Sequence, residues 1–550
     1  MPDARRPWLS IYGGKLSGGP IGGSLSDFLG GAAEKYRDNV ALTGERGEIS
    51  YGELSALVEK AATALHAAGV VKGDRVGLML PNCPEYVVAF FGTLRIGATT
   101  TQVNPLYVGR ELEHIFSDSG AETVVVHAAM YARVKDVQEA TPLKRVICVG
   151  EPEGGLKDRD ISFHSLLDSA SGNLPEVEID PEVDLASIQY TGGTTGVSKG
   201  AMLTHANLLG GVRQTMDLLI EDPSEFPENG KAVAVAPFFH IFGMTMVLLF
   251  GMRMGWNLLC VARFRPDAMM EKIRDEKPVY LAGVATLYTA LHNYPDMEGY
   301  GLGDVILYTS GGAAVPISLL ESFERRTGRP IFEGWGLSEG APASFNTYLR
   351  GWVGGSIGVP IPGTDAKIVD LETGEREMPL GEAGEIVIKG PQVMKGYWGM
   401  PEETAKVLRD GWLYTGDVAR MDESGYLYIV DRKKEVINTA GFKVYPREVE
   451  EVLYAHPGVV EGVAVGVPDE YRGEMVKAFV VKKEGSTLTQ EELAAYCKEN
   501  LAPYKVPKLV EFREELPKSA VGKLLKRVLA DEERQKAGLA PDAGKGLGGA

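Results

Sequence analysis

The chain has 550 residues, too many for one compact domain of roughly 100–200 residues, so we expect at least two domains. Hydrophobic residues (44%) and charged residues (24%) occur at ordinary globular frequencies, which excludes a largely disordered chain. The net charge is −18, and an acidic surface repels phosphate backbones, which argues against nucleic acid as a partner.

The four cysteines are far apart in the sequence and form no C-x-x-C pair (Cys83, Cys148, Cys260, Cys497). This pattern disfavours a disulfide framework or a zinc site and indicates a reducing compartment. The apolar run over residues 241–252 is much shorter than the about 20 residues of a membrane span, so it predicts a core or pocket-lining segment. No apolar export signal follows the N-terminus. We therefore expect a cytoplasmic protein.

In chain order, residues 1–25 are rich in Gly, Pro and Ser and predict a loose arm. Residues 51–69 predict a helix, residues 75–80 a buried strand, residues 85–96 a second helix and residues 123–127 a second strand. Strands that alternate with helices predict an α/β architecture with largely parallel sheets.

The texture changes over residues 352–388 to short strands with Gly and Pro turns, which predicts an antiparallel or barrel-like part. A further unit begins near Asp431, with strands predicted over 461–467 and 476–481, a helix over 490–501 and a basic C-terminal helix. The fold class is α/β, with a large N-terminal domain of mixed and parallel sheets plus a small barrel-like part, and a smaller, mobile α+β C-terminal domain. The expected boundaries are an arm over 1–25, the N-terminal domain over 26–430, a hinge over 431–437, the C-terminal domain over 438–537 and a disordered tail over 538–550.

A strand predicted over residues 185–190 leads into a loop that combines glycine, threonine and lysine. Residues 190–200 (YTGGTTGVSKG) contain four glycines, three threonines and one lysine. Glycine lets backbone N–H groups close around an anion, while threonine and lysine add donors and charge, so the loop predicts a polyphosphate cradle. It is not a Walker A loop, because Ser198 stands where the second glycine would be. The helix that follows is predicted to be capped by Thr204. The alternative is a flexible surface loop.

This loop resembles the signature loop of the adenylate-forming enzymes, which include acyl-CoA synthetases, aryl-CoA ligases, luciferases and peptide-synthetase adenylation domains. The resemblance extends from about residue 51 to residue 526, although Ser198 replaces the proline that is common in the family. It implies ATP binding by the loop residues Thr191, Gly192, Gly193, Thr194, Thr195, Gly196 and Lys199.

Two later motifs resemble the nucleotide and metal parts of the family site. Residues 310–316 (SGGAAVP) follow a strand predicted over 304–308, with Pro316 in a helix first turn, and residues 333–339 read EGWGLSE. The alternative for residues 310–316 is a tight strand-to-helix turn without a ligand, and the alternative for Trp335 is an aromatic side chain of the core. The resemblance implies that the turn packs against adenine, that Trp335 stacks on it and that Ser338 contacts phosphate. It also implies that Glu339 and Thr191 hold Mg²⁺. The ATP-binding residues implied in these two motifs are Gly312, Ala313, Gly334, Trp335, Gly336 and Ser338. Trp335 and Ser338 replace the usual Tyr and Thr.

Residues 414–417 (YTGD) are predicted to end a strand, and residues 431–437 (DRKKEVI) follow the next one. The resemblance assigns the ribose hydroxyls to Asp417 and Arg432 and the hinge to Lys434. Lys433 is expected to be an ordinary solvated charge.

The C-terminal part carries a local basic patch. Residues 501–530 contain seven Lys or Arg and three Glu within a chain of net charge −18. In residues 516–523 (LPKSAVGK), Lys523 aligns with the family's catalytic lysine, and lysine is a mobile point charge suited to a carboxylate and a phosphate together. Lys526 and Arg527 are expected on a solvated helix face. Residues 441–450 (GFKVYPREVE) and 471–474 (YRGE) resemble segments that line the CoA channel, which implies CoA binding by Lys443, Arg447, Arg472 and Gly473, although each cation alone also fits a surface charge.

Residues 237–243 (PFFHIFG) resemble the border of the family's acyl pocket and gate. The implied pocket comprises residues 240–252 and the small residues 311–314, with His240, Phe242 and Gly311 at the gate. For His240, a core histidine with satisfied hydrogen bonds is the alternative.

The resemblance implies a long-chain fatty acyl-CoA synthetase that forms an acyl-adenylate and releases AMP and pyrophosphate. Mg²⁺ is the implied cofactor, ATP and CoA are co-substrates, and Lys523, Lys434 and Glu339 are the implied catalytic residues. A medium-chain synthetase and a fatty acyl-AMP ligase remain alternatives, although the latter carry an insertion near the domain junction that residues 417–446 lack. A peptide-synthetase module, a luciferase-like oxygenase and a silent nucleotide sensor are further rivals. A homodimer and peripheral contact with the inner face of a membrane stay open.

Overall fold

The computed structural model describes residues 5–12, 22–157, 159–171, 174–191, 198–220, 222–347, 352–433, 435–439, 442–469, 473–519 and 522–539. Within these ranges the chain forms two large mixed sheets, a small antiparallel sheet and a C-terminal sheet. The α/β class predicted from the alternating pattern is confirmed.

The first sheet has eight strands and carries the predicted phosphate loop at one end of a central strand. In spatial order its strands are Gly396–Tyr397, Gly200–Thr204, Leu185–Tyr190, Thr99–Gln102, Arg75–Met79, Thr123–His127, Arg145–Val149 and Ile161–Ser162. Pairing is parallel from Leu185–Tyr190 to the last strand, and antiparallel on the other side. The helices of this region are Tyr51–Ala67, Pro84–Arg95, Gly109–Ser119, Ala128–Met130, Tyr131–Gln138 and Phe163–Asp168.

The second sheet has nine strands, in the order Val359–Pro360, Gly340–Phe345, Ile331–Leu337, Leu307–Ser310, Tyr280–Gly283, Lys231–Ala234, Asn257–Cys260, Val40–Gly44 and Gly47–Ser50. Its central strands are parallel and its edges are antiparallel hairpins. The associated helices are Leu25–Lys35, His205–Leu219, Pro223–Glu225, Pro266–Glu276, Ala285–His292, Met297–Tyr300, Leu302–Asp304 and Ile317–Thr327. As predicted, the Thr204 side chain caps the helix His205–Leu219 by accepting from the N–H of Asn207.

The strand predicted over residues 304–308 is wrong in its bounds. The strand is Leu307–Ser310, because Leu302–Asp304 forms a 3-10 turn before it. Pro316 precedes the helix Ile317–Thr327 as its N-cap instead of lying in its first turn.

The apolar run in the middle of the chain is one continuous helical stretch. It consists of an α segment Ile241–Gly243, a π segment Met244–Leu249 and an α segment Phe250–Arg253. Nearly every side chain of the stretch is buried, as expected for a helix that is apolar on all faces. No helix in the described part of the chain combines the length and apolarity needed to cross a bilayer.

The N-terminal arm is not loose where the structure describes it. Residues Pro7–Ser10 form a 3-10 helix, and the Trp8 side chain is only 1% exposed. Trp8 packs against the turn at Gly425, where a Cβ atom would lie 2.5 Å from the Trp8 backbone nitrogen. The prediction of a loose arm is therefore wrong for residues 7–12. The prediction rested on the Gly, Pro and Ser content, which does not show that a single buried tryptophan fixes the segment.

The small antiparallel sheet follows, with strands Asp365–Val369, Gly384–Lys389, Trp412–Met421 and Leu408–Arg409, and with Leu427–Arg432 paired to Trp412–Met421. This confirms the change in texture expected after residue 352. The helix Pro401–Val407 lies between its strands in sequence. Residues 414–417 were predicted to end a strand, but they lie inside the strand Trp412–Met421. The strand continues past Gly416, although this residue adopts φ +74.

The C-terminal sheet has the order Phe442–Val444, Ile437–Thr439, Gly473–Lys482, Val459–Asp469, and Leu509–Arg513 pairs parallel with Gly473–Lys482. Its helices are Pro446–Ala455, Gln490–Asn500 and Lys526–Lys536. Val449, Leu453 and Val480 belong to a hydrophobic cluster that is separate from those of the larger sheets. The predicted smaller α+β unit is present.

Candidate active site

A cleft of about 2270 Å³ brings together side chains from both large sheets, the small sheet and the C-terminal loop. Its walls include most of the described residues that the motifs singled out: Thr191, Lys199, His240, Phe242, Gly311, Gly312, Gly334, Trp335, Gly336, Ser338, Glu339, Asp417, Arg432 and Lys523. Ala313 is not part of the cleft wall. Residues that are more than 330 positions apart in sequence therefore share one cavity.

The phosphate loop is described only at its two ends. The backbone N–H of Thr191 donates to the carbonyl of Lys199 at 3.0 Å, which closes the base of the loop. The ring Nε2 of His114 lies 2.7 Å from the Ser198 carbonyl oxygen and supports the second end. Gly192, Gly193, Thr194, Thr195 and Gly196 lie outside the described residues, so their ATP contacts stay predictions.

Two residues that the sequence did not single out surround Lys199. Its ammonium forms an ion pair with Glu403, in the first turn of the helix Pro401–Val407. The same ammonium lies 5.1 Å from the centre of the Tyr397 ring. Tyr397 reaches this position because its short strand pairs with Gly200–Thr204, directly after the loop. Both contacts join segments that are about 200 residues apart in the chain, so the local sequence did not signal them.

Glu339 lies in the cleft wall beside the same tyrosine. The Tyr397 hydroxyl donates to Oε1 of Glu339 at 2.7 Å, and burial raises the pKa of the Glu339 carboxyl. Within the described ranges no three acidic, His or Cys side chains form a metal cage. Mg²⁺ usually binds through one or two carboxylates plus substrate phosphates, so the half-buried Glu339 carboxylate beside the predicted phosphate loop fits this ion.

The predicted nucleoside end of the cleft centres on Asp417. Its Oδ2 accepts from the indole N–H of Trp335 at 2.8 Å, and its Oδ1 lies 3.4 Å from Nε of Arg432. Asp417 and Arg432 are paired residues on adjacent antiparallel strands, which explains why motifs 15 residues apart meet. One carboxylate thereby orients a flat aromatic ring and a guanidinium at the same wall.

Lys523 reaches the cleft from the C-terminal sheet. Burial, and secondarily repulsion from Arg432, lowers the pKa of the Lys523 ammonium to about 8. On the other side of the cleft, burial and the Lys523 charge lower the pKa of His240 to about 4, so this imidazole is neutral at pH 7. The Lys523 charge therefore lies within electrostatic reach of both Arg432 and His240.

The apolar end begins at the predicted gate. A Cβ atom on Gly311 would lie 2.9 Å from the Phe242 ring, so glycine permits this close packing. Ile241, Thr245 and Met246 continue the wall. Residues 247–252, which were expected to line the pocket, do not reach it, because they are buried in the core behind it. His240 is half-buried and faces the cavity, and its Nδ1 accepts from the N–H of Phe242 at 3.3 Å, so the two interpretations of this residue are compatible.

The described residues of the predicted CoA set, Lys443, Arg447 and Gly473, do not line the cleft. Lys443 is exposed, and Gly473 begins a strand of the C-terminal sheet. Arg447 instead donates from a guanidinium nitrogen to the Ile429 carbonyl at 3.0 Å, and its backbone N–H donates to Asp431 at 3.1 Å. Arg472 and Lys434 lie outside the described residues.

Two lysines expected to be solvated are engaged in ion pairs. Lys526 lies 2.9 Å from Glu450 and 3.5 Å from Glu435; although burial opposes its charge, these carboxylates and Asp431 raise the pKa of Lys526. Lys433 lies 3.1 Å from Glu385. The expectation that Lys526 and Lys433 are solvated is therefore wrong. Their carboxylate partners are distant in the sequence, so the local charge pattern does not show them.

Comparisons with known proteins agree with this geometry. The chain matches the family model of AMP-binding enzymes over residues 30–398 and that of the AMP-binding enzyme C-terminal domain over residues 448–523. It is 39% identical over 558 aligned positions to a long-chain-fatty-acid–CoA ligase of Bacillus subtilis (strain 168), covering 97% of this chain and 99% of the relative. A long-chain-fatty-acid–CoA ligase of Escherichia coli O6:H1 is 41% identical over 540 positions, covering 93% and 95%.

Two solved structures show the same architecture. ATP-bound MatB from Rhodopseudomonas palustris has a TM-score of 0.83 at 32% identity, covering 92% of this chain and 98% of that chain. An anthranilate CoA ligase, AuaEII, in complex with anthranoyl-AMP has a TM-score of 0.86 at 26% identity, covering 94% and 99%.

Proposed function

The chain belongs to the AMP-binding enzyme family, and we propose that it is an AMP-forming long-chain-fatty-acid–CoA ligase. The observation that carries the proposal is the single cleft that joins Lys199, Glu339, Asp417 and Lys523 to an apolar extension beyond Phe242. Such a cleft can hold a nucleotide and an alkyl carboxylic acid with their reacting atoms adjacent.

In the first step, an oxygen of the fatty carboxylate attacks the α-phosphorus of ATP in line, and the bond to the departing pyrophosphate breaks. Trp335, Asp417 and Arg432 hold the nucleoside, so the α-phosphorus is positioned before the acid reacts. Lys523 lies between nucleotide and acid and stabilises the negative charge that develops between them. The lowered pKa of Lys523, about 8, still leaves most of its ammonium protonated at pH 7.

Mg²⁺ would be held by Glu339, with Thr191 at the base of the phosphate loop. When bound, the ion supplies neutralisation of the negative charge on the departing pyrophosphate. Tyr397 orients the Glu339 carboxylate through its hydroxyl, and Lys199 adds a fixed positive charge on the same side.

In the second step, the CoA thiol loses its proton to solvent, the thiolate sulfur attacks the acyl carbonyl carbon, and AMP leaves with the electron pair of the broken acyl–oxygen bond. We propose that the C-terminal sheet first rotates about residues 431–434, which withdraws Lys523 and opens the approach for CoA. Lys443, Arg447, Arg472 and Gly473 are proposed to meet CoA in that second orientation. All four cysteines are free thiols, and no step requires a protein thiol.

The test is AMP release that depends on both ATP and CoA, measured across acetate, benzoate, ferulate, octanoate, palmitate and oleate. We expect the maximum kcat/KM with palmitate or oleate. A maximum with octanoate would indicate a medium-chain enzyme, and a maximum with benzoate or ferulate an aryl-CoA ligase. Pyrophosphate release that ignores CoA would indicate an acyl-AMP ligase, and silence with every acid would favour a nucleotide sensor.

The hinge proposal has its own test in Lys434→Pro. Proline locks φ and removes a backbone donor, so it should hinder rotation more than the first step. Acyl-adenylate formation should persist while thioester formation from supplied acyl-AMP falls. Equal loss of both half-reactions would contradict the hinge assignment.

A further inference from the structure

One hydrogen bond joins the N-terminal wall of the cleft to the loop that carries Lys523. The hydroxyl of Thr286 donates to the carbonyl oxygen of Gly522 at 3.2 Å. Thr286 is the second residue of the helix Ala285–His292, and Gly522 immediately precedes Lys523. The bond therefore reaches the peptide unit that bears the catalytic lysine.

The contact is too close to admit any side chain at position 522. A Cβ atom there would lie 2.6 Å from Oγ1 of Thr286 and 3.2 Å from Cγ2 of Val284. Gly522 also adopts φ +78, a conformation that residues with a side chain rarely adopt. Both features favour glycine at position 522, where the loop packs closely against the first residues of the helix Ala285–His292.

The loop holds Lys523 in a fixed relation to Gly522. The backbone of Ser519 donates to the Lys523 carbonyl at 2.8 Å, and its hydroxyl accepts from the Lys523 N–H at 3.1 Å. The N–H of Gly522 donates to the Ser519 carbonyl at 2.9 Å. Whatever anchors Gly522 therefore also sets the position of Lys523.

Within the described ranges, the Lys523 ammonium forms no ion pair of its own, so its place over the cleft depends on how its loop is docked. We infer that Thr286 is a positioning residue that docks the Lys523 loop for acid activation and has no part in thioester formation. The inference rests on the proposed function, since it assigns Thr286 to one of its two half-reactions.

The docked contact and the proposed rotation are mutually exclusive. When the C-terminal sheet turns away, the Gly522 carbonyl leaves Thr286, and the hydroxyl is free during the second step. Removing the hydroxyl should therefore slow only the step for which Lys523 is docked. A general weakening of the helix Ala285–His292 would instead slow both steps, because several residues of this helix line the cleft.

The test compares Thr286→Val with Thr289→Val in the full-length enzyme. Thr289 lies on the same helix and also lines the cleft, but its hydroxyl donates to the Ala285 carbonyl within the helix. With palmitate, Thr286→Val should slow acyl-adenylate formation about fivefold, the effect of one lost hydrogen bond. Its thioester formation from supplied palmitoyl-AMP and CoA should match wild type, and Thr286→Ser should restore the first step. Thr289→Val changes the cleft wall without a bond to the Lys523 loop, so it should affect the two steps to the same degree.

Equal slowing of both half-reactions by Thr286→Val, or the same loss in Thr289→Val, would overturn the inference, as would an unchanged first step. If Thr286→Val does not fold, Gly522→Ala decides, since its methyl group obstructs the same contact and should slow only the first step. Failure of the wild-type enzyme to form palmitoyl-AMP would contradict the proposed function instead.

Discussion

The two halves of the site are held in different ways. In the N-terminal half, three charged groups of the predicted nucleotide site have partners: Glu339 accepts from Tyr397, Lys199 pairs with Glu403, and Asp417 bridges Trp335 and Arg432. In the C-terminal half, Lys523 reaches the cleft on a loop docked through the backbone at Gly522.

This difference suits two purposes, nucleotide binding in the N-terminal half and participation in a single chemical step by Lys523. A nucleotide site that must persist through two half-reactions gains from side chains fixed by mutual hydrogen bonds. A group needed in only one of them gains from an attachment that a single rotation can break. We therefore propose that the N-terminal half is organised to retain the nucleotide and the C-terminal loop to release Lys523, and the following experiments test that division.

The largest effect is expected for Lys523→Ala. Acyl-adenylate formation should fall about 10²- to 10³-fold, the usual cost of removing one preorganised charge-stabilising group, while thioester formation from supplied acyl-AMP stays intact. The measurement is single-turnover chemistry for each half-reaction. Lys518→Ala is the control, because Lys518 is on the same loop but pairs with Glu461. Loss of both half-reactions in a folded Lys523→Ala enzyme would contradict the division.

Next in size is Asp417→Ala in the N-terminal half. Removal of its carboxylate leaves the Trp335 N–H and Arg432 without their partner, and we expect the KM for ATP to rise about 10- to 100-fold. Both half-reactions should suffer, in contrast to Lys523→Ala, because the adenylate uses the same wall. Titration of ATP at saturating palmitate measures the change. An unaltered KM for ATP would show that Asp417 does not hold the nucleoside.

The pH dependence follows from the pKa of Lys523, which burial and then Arg432 lower to about 8. Below this pKa the ammonium is charged and active; above it the charge is lost, so kcat/KM for acyl-adenylate formation should fall about tenfold per pH unit on the alkaline side. Rates between about pH 6.5 and 9.5 measure the fall. Lys523→Arg, whose guanidinium stays charged, should be slower but lack this alkaline limb. A flat wild-type profile above pH 8 would refute the assignment.

A smaller effect is expected for Glu403→Gln. The Glu403 carboxylate neutralises Lys199 and repels an incoming triphosphate, so its removal should lower the KM for ATP about threefold, as expected for a partly exposed ion pair. Glu402→Gln is the matched control, because Glu402 is its exposed neighbour. ATP titrations of the two variants give the comparison, and a raised KM in Glu403→Gln would mean that Glu403 positions Lys199 instead.

The smallest effect concerns the acyl end, with Gly311→Ala. The added methyl would press on the Phe242 ring at 2.9 Å, and small-to-large changes in packed walls have modest costs. We expect kcat/KM for palmitate to fall about threefold relative to octanoate, with the KM for ATP unchanged. An equal loss with both acids would place Gly311 outside the acyl path.

Local patterns predicted the parts of this molecule that depend on neighbouring residues. The meeting of Lys199, Trp335 and Lys523 in one cleft was implied by the family resemblance, whereas the helix Tyr51–Ala67 and the strand Thr123–His127 follow from periodicity alone. Such agreement is expected where local chemistry alone sets the backbone.

The missed residues share a different property. Tyr397, Glu403 and Thr286 matter through partners far away in the chain, and nothing in their immediate neighbours signals those contacts. Lys526 was expected to be solvated for the same reason, because the charges of Glu435 and Glu450 are visible only after the C-terminal sheet has folded. Tertiary pairing of distant segments is the information that composition and spacing lack.

The burial of Trp8 against Gly425 bears on how the enzyme can be attached to a surface. Gly425 lies two residues before the strand Leu427–Arg432, so the N-terminal segment is fastened to the half of the molecule that stays still in the proposed rotation. A tether at the N-terminus would hold the nucleotide-binding half and leave the C-terminal sheet to turn. A tether after residue 539 would instead hold the C-terminal sheet and hinder its proposed rotation. An immobilised enzyme should therefore be attached through its first residues.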